Sequence, residues 1–426
     1  MSFSKLFNSQ AFKVYLVIIF LGIYVHTYFI PIGRIGLKFF YFVLLIHLIE
    51  VVIKTNHIKI RLNLFDYFLL GTFLYILVQF SFTYSVENHL ISSMYLMNII
   101  LVARFALSKL DKFLSNADTI YYLHIIIFGI GIFLFFYAIF VVGLGSIALD
   151  YLYQTERREM ANKITTTVFY TGVLPRYTGY YVDPNFWALH ITFALYLLIS
   201  IKMFVNRNNR LFYIAVIILL FSIILTQSRG AFLALILAYF IYMFLSFIYK
   251  TLSSYDIKIF FYLMAFMFII IILLLSLDGV YGIDFEYMLG RYDSSNLTNE
   301  NARTLGWQEY IEYISSSKYL YQGFGLSSNV YYFSHHSSHN MYIYLLYNFG
   351  LVWLILFLLF IIMTLFLLLN KIKSVVKKRK KLYIISTAFF IGLLAQAFFI
   401  DVLFVIPFWA NFVLTYKLLD TKGNNI

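Results

Sequence analysis

The feature that most limits what this chain can fold into is a recurring apolar run of about 17–25 residues, long enough to cross a bilayer as a helix. Twelve such stretches fall near residues 12–30, 36–53, 64–83, 88–106, 119–147, 184–201, 211–227, 230–248, 257–276, 340–369, 382–399 and 403–419. Most connections between them are short and polar. The expectation is an all-α integral membrane protein of about 12 transmembrane helices, a single polytopic domain over 1–426. Charged residues make up 12% of the chain, against roughly 25% in a soluble domain. Aromatic residues reach 21%, which suits interfacial belts around many spans. The fourth stretch is the most polar, carrying His89, Ser92, Ser93 and Asn98. Zero cysteines exclude disulfides, thiolate metal sites and a cysteine nucleophile. The first run is long enough to be read as a retained span rather than a cleaved signal. No nucleic-acid partner is expected.

Charge assigns the two sides. The N-terminus, the even-numbered connections and the C-terminus carry 17 Lys and 5 Arg, while the remaining connections carry 3 Lys and 7 Arg. By the positive-inside rule the first group is cytoplasmic, so both termini lie inside and Arg229 lies outside. Topology requires only positive charge. An external set poor in cations yet enriched in arginine suits anion binding, because the guanidinium fork matches phosphate oxygens two at a time. Pairing with Glu156, Glu159 or Glu300 is the plainer alternative.

Two external connections are long. The first, 148–183, ends in "PRYTGYYVDPNFWALH", where Asp183-Pro184-Asn185 reads as an N-cap followed by proline at the first helical position. Arg176 lies upstream among Tyr177, Tyr180 and Tyr181, with no acid before Asp183. The second, 277–339, joins spans nine and ten. In it Trp307, Tyr310, Ile311 and Ile314 share one helical stripe, which predicts a short amphipathic helix on the outer leaflet. Gly323 and Gly325 mark a turn, and His335, His336 and His339 follow within five residues. A metal site would need further ligands, and neighbouring acids are scarce, so none is expected. A general base suits these histidines better, because imidazole takes a proton near neutral pH; ordinary polar loop residues are the alternative. His26, His47, His124 and His190 are read as packing or hydrogen-bonding residues.

The stretch "LTQSRGAFLAL", 225–235, leaves Arg229 in a very short external turn. Ser228-Arg229-Gly230 opens the eighth span, so free backbone N–H groups and the positive end of the helix dipole lie beside the guanidinium, a setting for an anion. Arg176 and Arg229 together could hold a diphosphate at the membrane boundary. A snorkelling arginine is the competing reading.

"TQSRGAFLAL", "RYTGYYVDPNFWAL" and "GFGLSSNVYYFSHHSSHNMYIYLLYNFG" resemble the motifs of the O-antigen polymerase and O-antigen ligase superfamily over roughly residues 174–352. The resemblance implies a GT-C-like helical fold in the bacterial cytoplasmic membrane. It implies transfer of polyprenyl (undecaprenyl) diphosphate-linked glycans, as donor and acceptor, on the external face, without a metal or other cofactor. It assigns Arg176 and Arg229 to the lipid diphosphate, Arg303 less directly to the same task, and His339, before Asn340, to catalysis. Asn348 departs from the pattern, since relatives often carry an acid there. Around these, Asp183, Asn185, Ser228, His335, His336 and Asn340 are candidate substrate contacts. Tyr180, Tyr181, Tyr331 and Tyr332 could pack on sugar rings, as well as anchor at the interface.

The chemistry suits the residues. When a glycan leaves a lipid diphosphate, fixed cations stabilise the departing negative charge, and His339 is placed in sequence to take the acceptor hydroxyl's proton. A single displacement would invert the anomeric centre. A polymerase is favoured over a ligase that transfers glycan to lipid A core, because asparagine rather than serine follows the histidine. A separate chain-length regulator is a further partner to consider. A lipid-linked oligosaccharide transporter is the reading from another class, and it would call for ionisable groups deep in the spans; here Glu50, Asp66 and Arg104 lie near span ends.

Overall fold

The computed structural model describes residues 10–24, 28–30, 37–38, 45, 62–108, 116–140, 168–171, 174–181, 183–205, 210–254, 257–258, 302–327 and 339–420. Within them the chain is nearly all helical. Helices α1 (Gln10–Tyr24), α2 (Leu64–Gln79), α3 (Val86–Ser108) and α4 (Ala117–Phe140) come first. Then follow α5 (Pro184–Val205), α6 (Arg210–Thr226) and α7 (Arg229–Ile248). The last are α8 (Ala302–Ser315), α9 (Met341–Ser374), α10 (Lys377–Gln396) and α11 (Ile406–Asp420). Among the described residues five helices, α3, α4, α5, α7 and α9, are long and apolar enough to cross a membrane, while α2 and α6 are shorter apolar helices.

Ten of the twelve expected stretches coincide with a described helix. Most of 36–53 and nearly all of 257–276 lie outside the described residues. The first stretch differs from expectation. Its helix stops at Tyr24, and Tyr28–Ile30 (β1) pairs antiparallel with Leu37–Lys38 (β2). Ile30 precedes Pro31, and a residue before proline is driven to extended backbone; apolarity alone does not separate strand from helix.

Helix starts follow local capping chemistry. At α2, Asn63 Oδ1 accepts from Asp66 N and Asp66 Oδ2 from Asn63 N, both at 3.1 Å, which satisfies two amide donors reciprocally. At α5, Asp183 Oδ1 accepts from Asn185 N at 2.6 Å with Pro184 as the first helical residue, the arrangement read from the sequence.

The centre of the bundle is α5, buried along nearly its whole length and packed on α6, α10 and α11. Helix α7 lies along α10, where small residues let the backbones approach: a Cβ on Gly392 would sit 2.8 Å from Ala234 O and 2.9 Å from Ala238 Cβ. The opposite face of α7 presents Phe240 and Phe247, and α9 presents Ile362 and Phe366, all more than half exposed. Such a surface suits acyl chains. An aromatic core joins Phe65, Phe68, Phe360, Trp409, Phe412 and Tyr416 across α2, α9 and α11.

Bonds between connections mark out the two ends. At one end Arg104 pairs with Asp66 at 3.0 Å, Asn63 Nδ2 donates to Asp420 Oδ2 at 3.1 Å, and Tyr383 OH donates to Leu418 O. At the other, the connections α2–α3, β4–α5, α6–α7, α8–α9 and α10–α11 touch one another through the contacts described below. This is the alternation that successive crossings require.

Candidate active site

Arg176 is carried by a hairpin absent from the all-helical expectation. Val168–Thr171 (β3) pairs antiparallel with Leu174–Tyr177 (β4), Arg176 lying opposite Phe169. β-branched and aromatic residues favour strand. The Arg176 side chain, only 6% exposed, crosses to the end of α6. Its Nε donates to Thr226 O at 3.0 Å, and its Nη2 reaches Asn185 Oδ1 at 3.4 Å and Gln227 O at 3.5 Å. A cation at helix-terminal carbonyls opposes the negative end of the dipole and satisfies orphan acceptors.

Two residues turn α6 into α7. Gln227 takes the left-handed conformation (φ 50°) and Ser228 is extended. Ser228 Oγ donates to Asn185 Oδ1 at 2.9 Å instead of capping α7. One amide oxygen thus ties Arg176, Asn185 and Ser228 together, and the arginine of the first motif lies against the residues that immediately precede Arg229. The partly exposed Arg229 opens α7, whose first turn carries no acid and lacks the usual hydroxyl cap.

The start of α9 is built differently. Partly exposed His339 is left-handed (φ 45°), and Asn340 is the N-cap, its Oδ1 accepting from Tyr342 N at 2.9 Å and Ile343 N at 3.3 Å. Asn340 N donates to Asp401 Oδ1 at 2.9 Å, and Met341 N donates to Ala397 O at 2.9 Å. The first four amides from residue 340 are all satisfied within the protein. This helix end is a rigid mount and not an open anion cradle.

The same 397–401 turn joins both halves. A Cβ on Gly230 would lie 2.8 Å from Phe399 Cβ, so the residue after Arg229 rests on the turn that holds Asn340 and Met341. Three separated motifs, at 176–185, 226–230 and 339–341, are thereby assembled at one end of the bundle. Asp401 and Phe399 were missed in the sequence. The signal was a lone acid in "AFFIDVLFVIPF", a charge isolated between the last two apolar runs.

The "QGFG" loop proves to be structural. Helix α9 breaks at Gly350 (φ 79°, ψ 175°), and residues 320–325 lie along the break. Leu351 N and Val352 N donate to Leu320 O and Tyr321 O, while Tyr347 O and Asn348 O accept from Phe324 N and Gly325 N. Gly323 and Gly325 both have positive φ, and a Cβ on Gly323 would meet Asn348 O at 2.4 Å. Gln79 Nε2 donates to Gln322 O and Asn348 O, and Tyr75 OH donates to Gln322 O and Phe349 O. His89 Nε2 donates to Ile76 O and its Nδ1 accepts from Leu326 N, which fixes a neutral tautomer. Fully buried Asn348 donates through Nδ2 to Tyr344 O and accepts from Ser327 N. An amide does both tasks and a carboxylate does not, so asparagine suits this position.

The other expected residues fall as follows. Tyr180 OH donates to Ile127 O at 2.9 Å and its ring packs edge-on to Trp187. Tyr181 packs against Phe186 and His190. Burial pushes the Tyr180 phenol up to about 12 and the Tyr181 phenol well above its ordinary range, so both stay neutral donors. Their described contacts are with the protein's own helices. Arg303 falls in the first turn of α8. That helix exists where expected, but its stripe is rotated: Tyr310 and Ile314 are buried against Phe324 and Tyr347, while Ile311 is 45% exposed. Helix α8 docks on α9 because aromatic partners are available there. His124 and His190 hydrogen-bond to backbone carbonyls, and His124 also to Tyr24 OH, as expected of packing histidines. His335, His336, Tyr331, Tyr332, His26 and His47 lie outside the described residues. No family model matches the chain, and no curated protein or solved structure does either.

Proposed function

We propose that this chain is a polysaccharide polymerase that moves a polyprenyl-diphosphate-linked glycan onto a lipid-linked repeat unit, building O-antigen, capsule or exopolysaccharide. The reading includes twelve spans in a GT-C-like arrangement, both termini cytoplasmic, and a site on the external face of a bacterial cytoplasmic membrane. The observation that carries it is the bonding of Arg176 to the residues just before Arg229, with Asn340, the neighbour of His339, bonded to the 397–401 turn on which Gly230 rests.

In this scheme the donor diphosphate lies at the start of α7, where Arg229 and the uncapped helix end stabilise charge as the C1–O bond breaks. Arg176 approaches from β4, and the two guanidinium groups do the work that a divalent cation does in other glycosyl transfers. His339 takes the proton of the acceptor hydroxyl as that oxygen bonds to C1 from the opposite face. The product is inverted at C1 and the leaving group is the free lipid diphosphate.

The test is reconstitution. Purified protein in vesicles, given a synthetic lipid-diphosphate repeat unit, should produce a ladder of lengthened products and release lipid diphosphate. Transfer only onto an added lipid A core would make it a ligase. Movement of the lipid across the vesicle without elongation would make it a transporter and end the enzymatic reading.

A further inference from the structure

We infer that Asp401 is a positioning residue for His339, an inference that rests on the reading of His339 as the base. Asp401 lies in the turn between α10 and α11, 61 positions from Asn340 in sequence, yet its Oδ1 accepts the Asn340 amide at 2.9 Å. That amide belongs to the peptide link that follows His339. A left-handed non-glycine residue is held against its own steric preference, and His339 sits at φ 45°. The bonds that hold it follow immediately in the chain: Asn340 N to Asp401, Met341 N to Ala397 O, and Tyr342 N and Ile343 N to the Asn340 side chain.

Of these partners only Asp401 is a side chain brought in from another element. It is also the one that can be changed without altering α9 itself. Phe399, two residues away, rests on Gly230 beside Arg229. The 397–401 turn sets the spacing between the diphosphate side and the base side of the site, and Asp401 is its polar anchor.

The experiment compares Asp401→Ala and Asp401→Asn in the ladder assay, together with hydrogen exchange of the peptide containing 339–343. Asn keeps an acceptor oxygen; Ala does not. Asp401→Ala should lower kcat by about tenfold to a hundredfold, the scale expected when a reacting group is misplaced by an ångström, with the donor KM within about twofold. Asp401→Asn should recover most of the rate. Exchange in 339–343 should quicken in the Ala variant and stay slow in the Asn variant, while exchange in α5 stays unchanged in both. Wild-type kcat in Asp401→Ala, or an Asn variant as poor as the Ala variant, overturns the proposal. Exchange needs no turnover. If wild type makes no ladder, the polymerase reading fails, while unchanged exchange in Asp401→Ala separately refutes the mount.

Discussion

Arg176 and Arg229 carry the same charge but sit differently, the first buried and the second partly exposed. Arg176 is buried and bonded to Thr226 O, Asn185 Oδ1 and Gln227 O. Removing it strands those acceptors, so Arg176→Ala should lose elongation and also lower the thermal midpoint in detergent, at roughly 1–3 kcal/mol. Arg229→Ala should lower elongation by about a hundredfold or more, the usual cost of one lost transition-state donor. Arg229→Lys should remain impaired because the fork is gone; normal product lengths in that variant would argue against phosphate binding. Asn185→Leu removes the acceptor shared by Arg176 and Ser228 and should resemble Arg176→Ala. The two arginines could be singled out in the sequence by their apolar settings. Their partners could not, because Thr226 and Gln227 act through backbone carbonyls, which no side-chain pattern advertises.

At the scale of elements, the broken α9 shows where sequence reading stops. The glycines at 323 and 325 announce a turn, and both have positive φ. Nothing in "YNFGLVW" announces that α9 opens at Gly350 to accept that turn edge-on, because the pairing joins backbone groups 23 to 31 residues apart in sequence. The capping asparagine at 340 and the Asp183-Pro184 start were legible because caps are local chemistry. The β3–β4 hairpin was not foreseen, since short strand and apolar helix share composition. Two substitutions test the inserted loop. Gly350→Ala would place a Cβ 2.4 Å from Tyr321 O at φ 79° and should cost about 1–3 kcal/mol or more. Asn348→Asp buries a carboxylate, removes the donor to Tyr344 O, and should destabilise by roughly 3–5 kcal/mol unless it protonates. Detergent melting curves read both, and a midpoint unchanged in either would refute the staple.

For the whole molecule, the decisive property is sidedness. The contacts divide the described connections between two ends, one holding Asn63, Asp66, Arg104 and Asp420, the other Ser85, Ser228, Ser327 and Asp401. By the positive-inside rule the first set is expected inside. Because the chain has no cysteine, single replacements can be mapped without first removing any. Cysteine at 85 or 327 should react with an impermeant maleimide on intact cells, while cysteine at 63 or 420 should react only after permeabilisation. Labelling of 327 and 420 from the same side would overturn the arrangement. The helical membrane class and most helix positions were readable from hydropathy, since each long apolar run leaves its own mark. The joining of remote connections into one site was not, because it depends on how α7 and α10 nest and where α9 breaks.

The staple at Gly350 has a consequence for how such a site could diversify. Ser327 is fixed to Asn348, and the chain rejoins the same helix at Asn340, eight residues higher, about 12 Å along its axis. The intervening stretch has far more reach than that gap demands, since extended chain covers roughly 3.3–3.6 Å per residue. Both footings belong to one rod. A few residues inserted between Ser327 and His339 should therefore leave the start of α9 in place, with hydrogen exchange at 340–343 unchanged.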